Sequence, residues 1–496
     1  MINRLIDRIT PKYDQLKYRS VFGILFLLSL FIRFPFFFRD YIDRDESTFI
    51  LMAQSWVDGN LPYTELWDLK PPITFLFFAV IIYIFGKSFI AIRLAGVILV
   101  SLTALYSYKI GAHLSNKKTA FWIGFFCVVF QSMFGSIQGV MSEHICMAFL
   151  TPAIYLVIAK KEWHWLGLAG LLCGIAIMVK LNMGYTVLFV GLYLVYYFIR
   201  IKQIKRGIYG VSAYGIGILA VIALTSLPYY LNGIENLWWK SVVIAPLDYA
   251  KASQLMHSVL KLLPTFLIIV IFLFWAFKKK HLEINNSSVQ ILLVATSGIL
   301  FSFYKGGRIN SHYLIQLYPI FIVLFGVAIN SLFNARKFRI HKAFVLLLIL
   351  LPAESYLELY NVAKHKIERG SFFNGEGITV PKYILEHNIN TNNILFFDYH
   401  IGYWMLNAKP PTKAATHPSN ICKPEMFAAF DNPRKTGIDE LRFIMEELQP
   451  NTLVLRKGRL VFDENQVEAN TYLDHFLPDN YQLRAVVDEA EIFVRL

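Results

Sequence analysis

Long apolar blocks separated by short basic turns dominate the sequence, and few folds accept such a pattern. Candidate blocks run over 20–38, 89–110, 119–138, 142–159, 165–180, 184–199, 207–229, 258–277, 288–304, 314–333 and 343–358. A bilayer span needs about 20 apolar residues, and in lipid a spanning backbone must satisfy its own hydrogen bonds as a helix or closed barrel. Hydrophobic residues form 56% of the 496 and charged residues only 17%, whereas soluble domains average about 45–50% and about 25%. That balance excludes a soluble enzyme over most of the chain, and it excludes disorder. The expected fold class is an α-helical polytopic membrane protein, with eleven spans if every block crosses.

The net charge of +14 is placed for topology and not for nucleic acid. Arg4, Arg8, Lys12, Lys17 and Arg19 precede the first block, and further clusters sit at Lys117 and Lys118, Lys160 and Lys161, 200–206, 278–280 and 336–342. They fall at every second turn, which is the positive-inside pattern. With the N-terminus inside, parity puts 39–88, 139–142, 230–257, 305–313 and everything after about 359 outside. The block Pro72–Phe85 is short and opens with a proline pair; if it crossed, all later clusters would flip, so an interfacial or re-entrant helix is expected. No small-residue cleavage site follows 20–38, so that block is expected to be a retained span. The 4 cysteines are too few for a disulfide framework.

Composition changes near 360. Apolar runs shorten at 394–397 and 452–455 to the length of buried strands, and helix-like stretches lie at 380–387 and 438–448. Segments 482–487 and 491–494 are placed to pair as a hairpin. The expected division is therefore a transmembrane domain over 1–358 and an extracytoplasmic mixed α/β domain over 359–496.

Ionisable groups near bilayer depth are costly and so mark function. The first external loop carries Arg39, Asp40, Asp43, Arg44, Asp45 and Glu46 directly after a span end. One reading is a solvated, salt-bridged loop. The other is that Ser47 or Thr48 caps a surface helix with Phe49, Met52, Ala53 and Trp56 on one face. Such a helix would hold Asp45 and Glu46 at the lipid boundary as general-base candidates. Lys70 precedes Pro71 and Pro72, which stiffen the backbone; it suits either a phosphate headgroup or simple snorkelling. Glu143 and His144 at another span end admit a cap, a proton-coupled site or a metal pair, although a local metal-ligand spacing is missing. Lys180 ends its span, and Gly306, Gly307, Arg308, His312 and Tyr313 open the tenth block. Arg308 offers a bidentate phosphate fork.

Acids at Asp45, Glu46 and Glu143 with cations at Lys70, Lys180 and Arg308, all expected on one face, fit a lipid-phosphate substrate. Cations would hold the phosphate while a carboxylate activates the attacking group. A transferase with a lipid-linked donor is one outcome; a lipid-linked-sugar or ion-coupled transporter is the other.

The order Asp45-Glu46, the stretch 48–56, Gly59-Asn60-Leu61-Pro62-Tyr63, Lys70-Pro71-Pro72 and Arg93-Leu94-Ala95-Gly96 resembles the first external loop and second span of C-type (GT-C) membrane glycosyltransferases. Among these the sequence resembles the protein O-mannosyltransferase-like and lipid A aminoarabinose transferase-like enzymes. Gly170 to Gly174 leading to Lys180, and Arg308 leading to His312 and Tyr313, resemble later parts of the same proteins. The resemblance implies inverting transfer from a polyprenyl-phosphate sugar to a hydroxyl acceptor, with no nucleotide cofactor and no obligatory metal. It implies Asp45 as the base and Glu46 as its acidic neighbour, with Glu143 as a second acid. Lys70 would face the donor phosphate; Lys180, Arg308, His312 and Tyr313 would contact phosphate or sugar. Asp43 remains an alternative base. Protein, glycolipid and polysaccharide acceptors all fit, and a bacterial inner membrane is the expected location.

Overall fold

The computed structural model describes residues 13–40, 43–133, 135–252, 256–306, 310–335, 347–462, 464 and 466–496. The chain is mostly helical, and it is a multi-pass membrane protein. Its main helices are α1 (Tyr18–Arg33), α2 (Arg44–Val57), α3 (Pro72–Phe85), α4 (Phe89–Leu114), α5 (Lys117–Phe130), α6 (Ser142–Ala159), α7 (Trp163–Val179), α8 (Gly184–Arg200) and α9 (Ile204–Leu231). They continue with α10 (Met256–Lys278), α11 (Ser287–Gly306), α12 (Tyr318–Ala335), α13 (Ala353–Arg369), α14 (Glu376–Glu386) and α15 (Val467–Asn480). Among the described residues, 6 helices are long and apolar enough to cross a membrane: Tyr18–Phe38, Phe89–Leu114, Ser142–Ala159, Leu181–Arg200, Ile204–Leu231 and Ser287–Gly306.

Two expected blocks differ in detail. The block 119–138 is helical only to Phe130 and ends in a turn and a short tight helix, Gly135–Gln138. The block 343–358 lies in part outside the described residues and breaks in a turn at Leu351 and Pro352. Proline disfavours helix at the residue before it, and α13 then restarts as a charged helix.

The chain forms two compact units, 1–34, 94–224 and 253–355 in the first, 35–93, 225–252 and 356–496 in the second. In the first, close helix pairs rest on glycine. A Cβ on Gly170 of α7 would lie 2.1 Å from the Tyr214 carbonyl oxygen of α9, and one on Gly217 would lie 2.5 Å from the Gly167 carbonyl oxygen. Small residues let helix backbones approach in this way. Because backbone atoms are the obstacle, Gly170→Ala is expected to cost about 1–3 kcal/mol of overpacking. Thermal unfolding in detergent checks this against Gly23→Ala, where nothing lies within 4 Å.

The second unit contains nearly all of the long segments 39–88, 230–257 and 359 onward that the charge pattern groups on one face. Its sheet has the order β1 (Leu395–Phe396), β2 (Thr452–Arg456), β4 (Ala490–Arg495), β3 (Tyr481–Val487). β1 and β2 are parallel, and β3 and β4 form the antiparallel hairpin expected from the sequence. Asp488, with φ of 53°, turns that hairpin. In α2 the expected Ser47 or Thr48 cap is corrected: Asp43 is the N-cap, and its carboxylate accepts from the Asp45 N–H. Neither is α2 a helix with one apolar stripe. All residues from Glu46 to Ala53 are buried, so protein surrounds its first two turns. Phe49 meets Phe75 and Phe78 of α3 at 6.3 and 5.8 Å between ring centres.

Candidate active site

The second unit builds a charged cluster from the first turn of α2. The Asp43 cap fixes the Asp45 N–H at 2.9 Å and so sets where the Asp45 carboxylate leaves the helix. Its Oδ2 accepts from Lys70 Nζ at 3.0 Å, and its Oδ1 lies 3.6 Å from His417 Nε2. Lys70 is held from all sides. Pro71 keeps the chain extended with φ of −65° and ψ of 158°, the Tyr63 hydroxyl donates to the Lys70 carbonyl at 2.6 Å, and Asp68 accepts from its N–H. The ammonium also lies 5.5 Å from the centre of the Phe49 ring. Asp45 and Lys70 keep 25% and 20% of their side-chain surface exposed, so the pair stays accessible to a substrate.

Glu46 faces the other way. It accepts from Arg93 Nη2 at 2.6 Å, both side chains are only 1% exposed, and Arg93 also donates to the Phe36 carbonyl at 2.7 Å. Farther around the helix, Arg44 pairs with Asp398 at 2.8 Å. The Thr48 hydroxyl donates to the Arg44 carbonyl, so its oxygen accepts from His400 Nε2 at 2.9 Å.

The two histidines give this unit a pH dependence. Burial lowers the proton affinity of His400 well below the usual imidazole value. It lowers that of His417 too, with Asp45 opposing. The unfolded chain therefore binds more protons than the folded one below about pH 6.5, and stability falls as pH drops through that range. Burial raises the Asp398 carboxyl against the pull of Arg44, which acts in the opposite sense but in the lower carboxylate range. The thermal midpoint is expected to fall between about pH 7 and pH 5, and less steeply in a His400→Gln variant.

The first unit holds a second cluster. Lys180 Nζ, at the end of α7, donates to Glu143 Oε1, and His312 Nε2 lies 3.7 Å from the same oxygen. Ser142 donates to Glu143 Oε2 at 3.1 Å, and Lys180 sits 4.3 Å from the centre of the Tyr313 ring. Beside them Asn182 donates to Gln316 and Ser302. His144 is a cap: its Nδ1 accepts from the Met141 N–H, and its Nε2 lies 2.9 Å from the Gln131 carbonyl. Glu143, Lys180, His312 and Tyr313 are thus brought together here, and Asp45 and Lys70 in the other unit. Arg308 lies outside the described residues. Among the described residues no group of three or more His, Cys, Asp or Glu is placed to hold a metal ion.

Sequence reasoning missed His417, His400 and Thr416, whose hydroxyl accepts from the Trp67 N–H. In the C-terminal segment the aromatic side chains of Tyr399, Tyr403 and Trp404 are buried.

A family model described as dolichyl-phosphate-mannose-protein mannosyltransferase matches residues 69–229, under half of the chain. No curated protein matches the chain in sequence. ArnT from Cupriavidus metallidurans bound to undecaprenyl phosphate superposes with a TM-score of 0.60 at 14% identity, covering 97% of both chains. Its apo form gives 0.59 at 13% identity, again over 97% of both. The Archaeoglobus fulgidus oligosaccharyltransferase in the apo form gives 0.52 at 12% identity, over 90% of this chain and 70% of that one. The chain has the fold of the C-type membrane glycosyltransferases.

Proposed function

We infer that this protein is an inverting glycosyltransferase that moves a sugar from a polyprenyl-phosphate donor to a hydroxyl acceptor. The reading rests above all on Asp45 and Lys70: a part-exposed carboxylate and ammonium at 3.0 Å, each fixed by its own backbone. Polyprenyl phosphate is a good leaving group, so the reaction needs a base for the acceptor and a cation for the departing phosphate. Asp45 takes the acceptor hydroxyl proton. The acceptor oxygen bonds to the anomeric carbon as the bond to phosphate oxygen breaks, and Lys70 receives the phosphate charge. Attack opposite the phosphate inverts the centre in one step. A retaining route would use a second carboxylate as nucleophile, and Glu46 is committed to Arg93.

In this reading the cluster of Glu143, Lys180, His312 and Tyr313, at the helix ends, takes donor phosphate or sugar, and Arg308 joins the phosphate contacts. The 1–358 region carries the transferase, with about eleven spans, and 359–496 is the extracytoplasmic α/β domain. Positive turns on one side support a bacterial inner-membrane location with Asp45 facing out. The acceptor is a protein, glycolipid or polysaccharide hydroxyl. The undecaprenyl phosphate named with ArnT and the family description support the donor class.

The test is a transfer assay with purified protein, synthetic undecaprenyl-phosphate sugars and an envelope extract as acceptor source. Release of undecaprenyl phosphate is expected. Undiminished donor with every sugar, despite lipid binding, would overturn the transferase reading.

A further inference from the structure

The C-terminal segment places an imidazole against the candidate base. His417 caps the short helix Pro418–Cys422 and is largely buried, with a tenth of its side chain exposed. Its Nδ1 accepts from the Ser419 N–H at 3.1 Å. A backbone N–H can only donate, so Nδ1 carries a lone pair and the neutral ring carries its proton on Nε2. The Ser419 hydroxyl also lies 2.8 Å from Nδ1, and Lys423 Nζ donates to that hydroxyl oxygen at 2.9 Å, which leaves the hydroxyl proton to point at the ring. Nε2–H therefore faces Asp45 Oδ1 at 3.6 Å. That is longer than a formed hydrogen bond, and catalytic contacts often shorten from such distances when substrate engages.

Burial lowers the proton affinity of His417 and Lys423 behind it acts in the same sense, while Asp45 and Asp68 oppose them; the His400 ring lies 5.8 Å away between centres. On the Asp45 side, Lys70 takes Oδ2. Each carboxylate oxygen thus has its own neighbour, Oδ2 an ammonium and Oδ1 an imidazole N–H. A donor phosphate that draws Lys70 toward itself would loosen the ammonium's hold on Oδ2, while Oδ1 stays beside the His417 N–H.

We propose that His417, locked as the Nε2–H tautomer by Ser419, is the positioning residue for the Asp45 base, so that the C-terminal segment completes the active site. The proposal rests on the glycosyltransferase reading and deepens it. His417 neither takes nor gives a proton in the transfer; it holds one oxygen of the carboxylate so that the other is aimed.

Two measurements on the full chain in nanodiscs test it. The first is nitrogen NMR of isotope-labelled histidine, with His417 assigned by difference against His417→Gln. An unprotonated Nδ1 and a protonated Nε2 are expected, and the opposite tautomer overturns the proposal whether or not any donor is turned over. The second is release of undecaprenyl phosphate from the synthetic donors by wild type, His417→Leu and His417→Gln. A hydrogen bond to a charged group corresponds to a loss of about tenfold to a hundredfold in kcat for His417→Leu, with the donor KM little changed. His417→Gln, which keeps an N–H donor, should recover most of it. Wild-type turnover in His417→Leu, or equal losses in both variants accompanied by a lowered thermal midpoint, would overturn it. Wild type that releases nothing while showing the expected tautomer is the separate failure of the transferase reading, and it leaves His417 no base to position.

Discussion

Asp45→Asn is expected to lower the rate of undecaprenyl phosphate release by about 10²–10⁴-fold, the range contributed by a positioned general base, while the protein still folds and still binds the lipid. Asparagine keeps the shape of the side chain and the backbone N–H that the Asp43 cap holds, but it cannot take a proton. The ion pair with Lys70 is lost as well. That pair is part-exposed, so its removal changes stability by only about 0–1 kcal/mol, and Lys70 remains to receive a phosphate. The same experiment separates Asp45 from Asp43. Asp43→Ala removes a cap and should cost about 0.5–2 kcal/mol, visible as a lower thermal midpoint, with turnover reduced far less than in Asp45→Asn. Loss of turnover in Asp43→Ala with full activity in Asp45→Asn would reverse the assignment. The readouts are initial rate, donor KM and thermal unfolding on the same preparations.

The acids and cations of the candidate site were legible because ionisable residues stand out against apolar blocks. Asp45, Lys70, Glu143, Lys180, His312 and Tyr313 all fall in one or other cluster. The hairpin of β3 and β4 was legible too, since short apolar runs separated by Asp488 and Glu489 leave little choice of pairing. The α2 cap was misread because Ser47, Thr48 and Asp43 all satisfy the local rule; which one caps depends on where the chain enters the helix, and the buried wall around Phe49 to Ala53 moves that entry upstream. His417 had no signal at all. It reaches Asp45 across 372 positions, and a lone histidine before a proline in a turn-rich stretch looks like any cap. The partner of Glu46 was hidden differently. Arg93 stands in the Arg93-Leu94-Ala95-Gly96 motif, but nothing periodic links an acid in a first helical turn to an arginine in the next span.

That buried pair carries the largest expected effect on stability. Arg93→Met leaves the Glu46 carboxylate without the guanidinium 2.6 Å away and the Phe36 carbonyl without its donor. Breaking a buried ion pair from one side costs about 3–5 kcal/mol, because the remaining charge keeps its desolvation penalty. Glu46→Leu strands the arginine in the same way and should cost a similar amount. The double variant is the decisive one. With neither charge left, methionine and leucine fill roughly the same space with apolar atoms, and replacing such a pair outright is often neutral. The double variant is therefore expected to be more stable than either single one, with a coupling energy at the upper end of about 0.5–3 kcal/mol. Thermal unfolding of the four proteins closes the cycle. Additive losses would mean that Glu46 and Arg93 act separately. A stable double variant that has nonetheless lost turnover would show that the pair holds the first turn of α2, and with it Asp45, in the geometry the base requires.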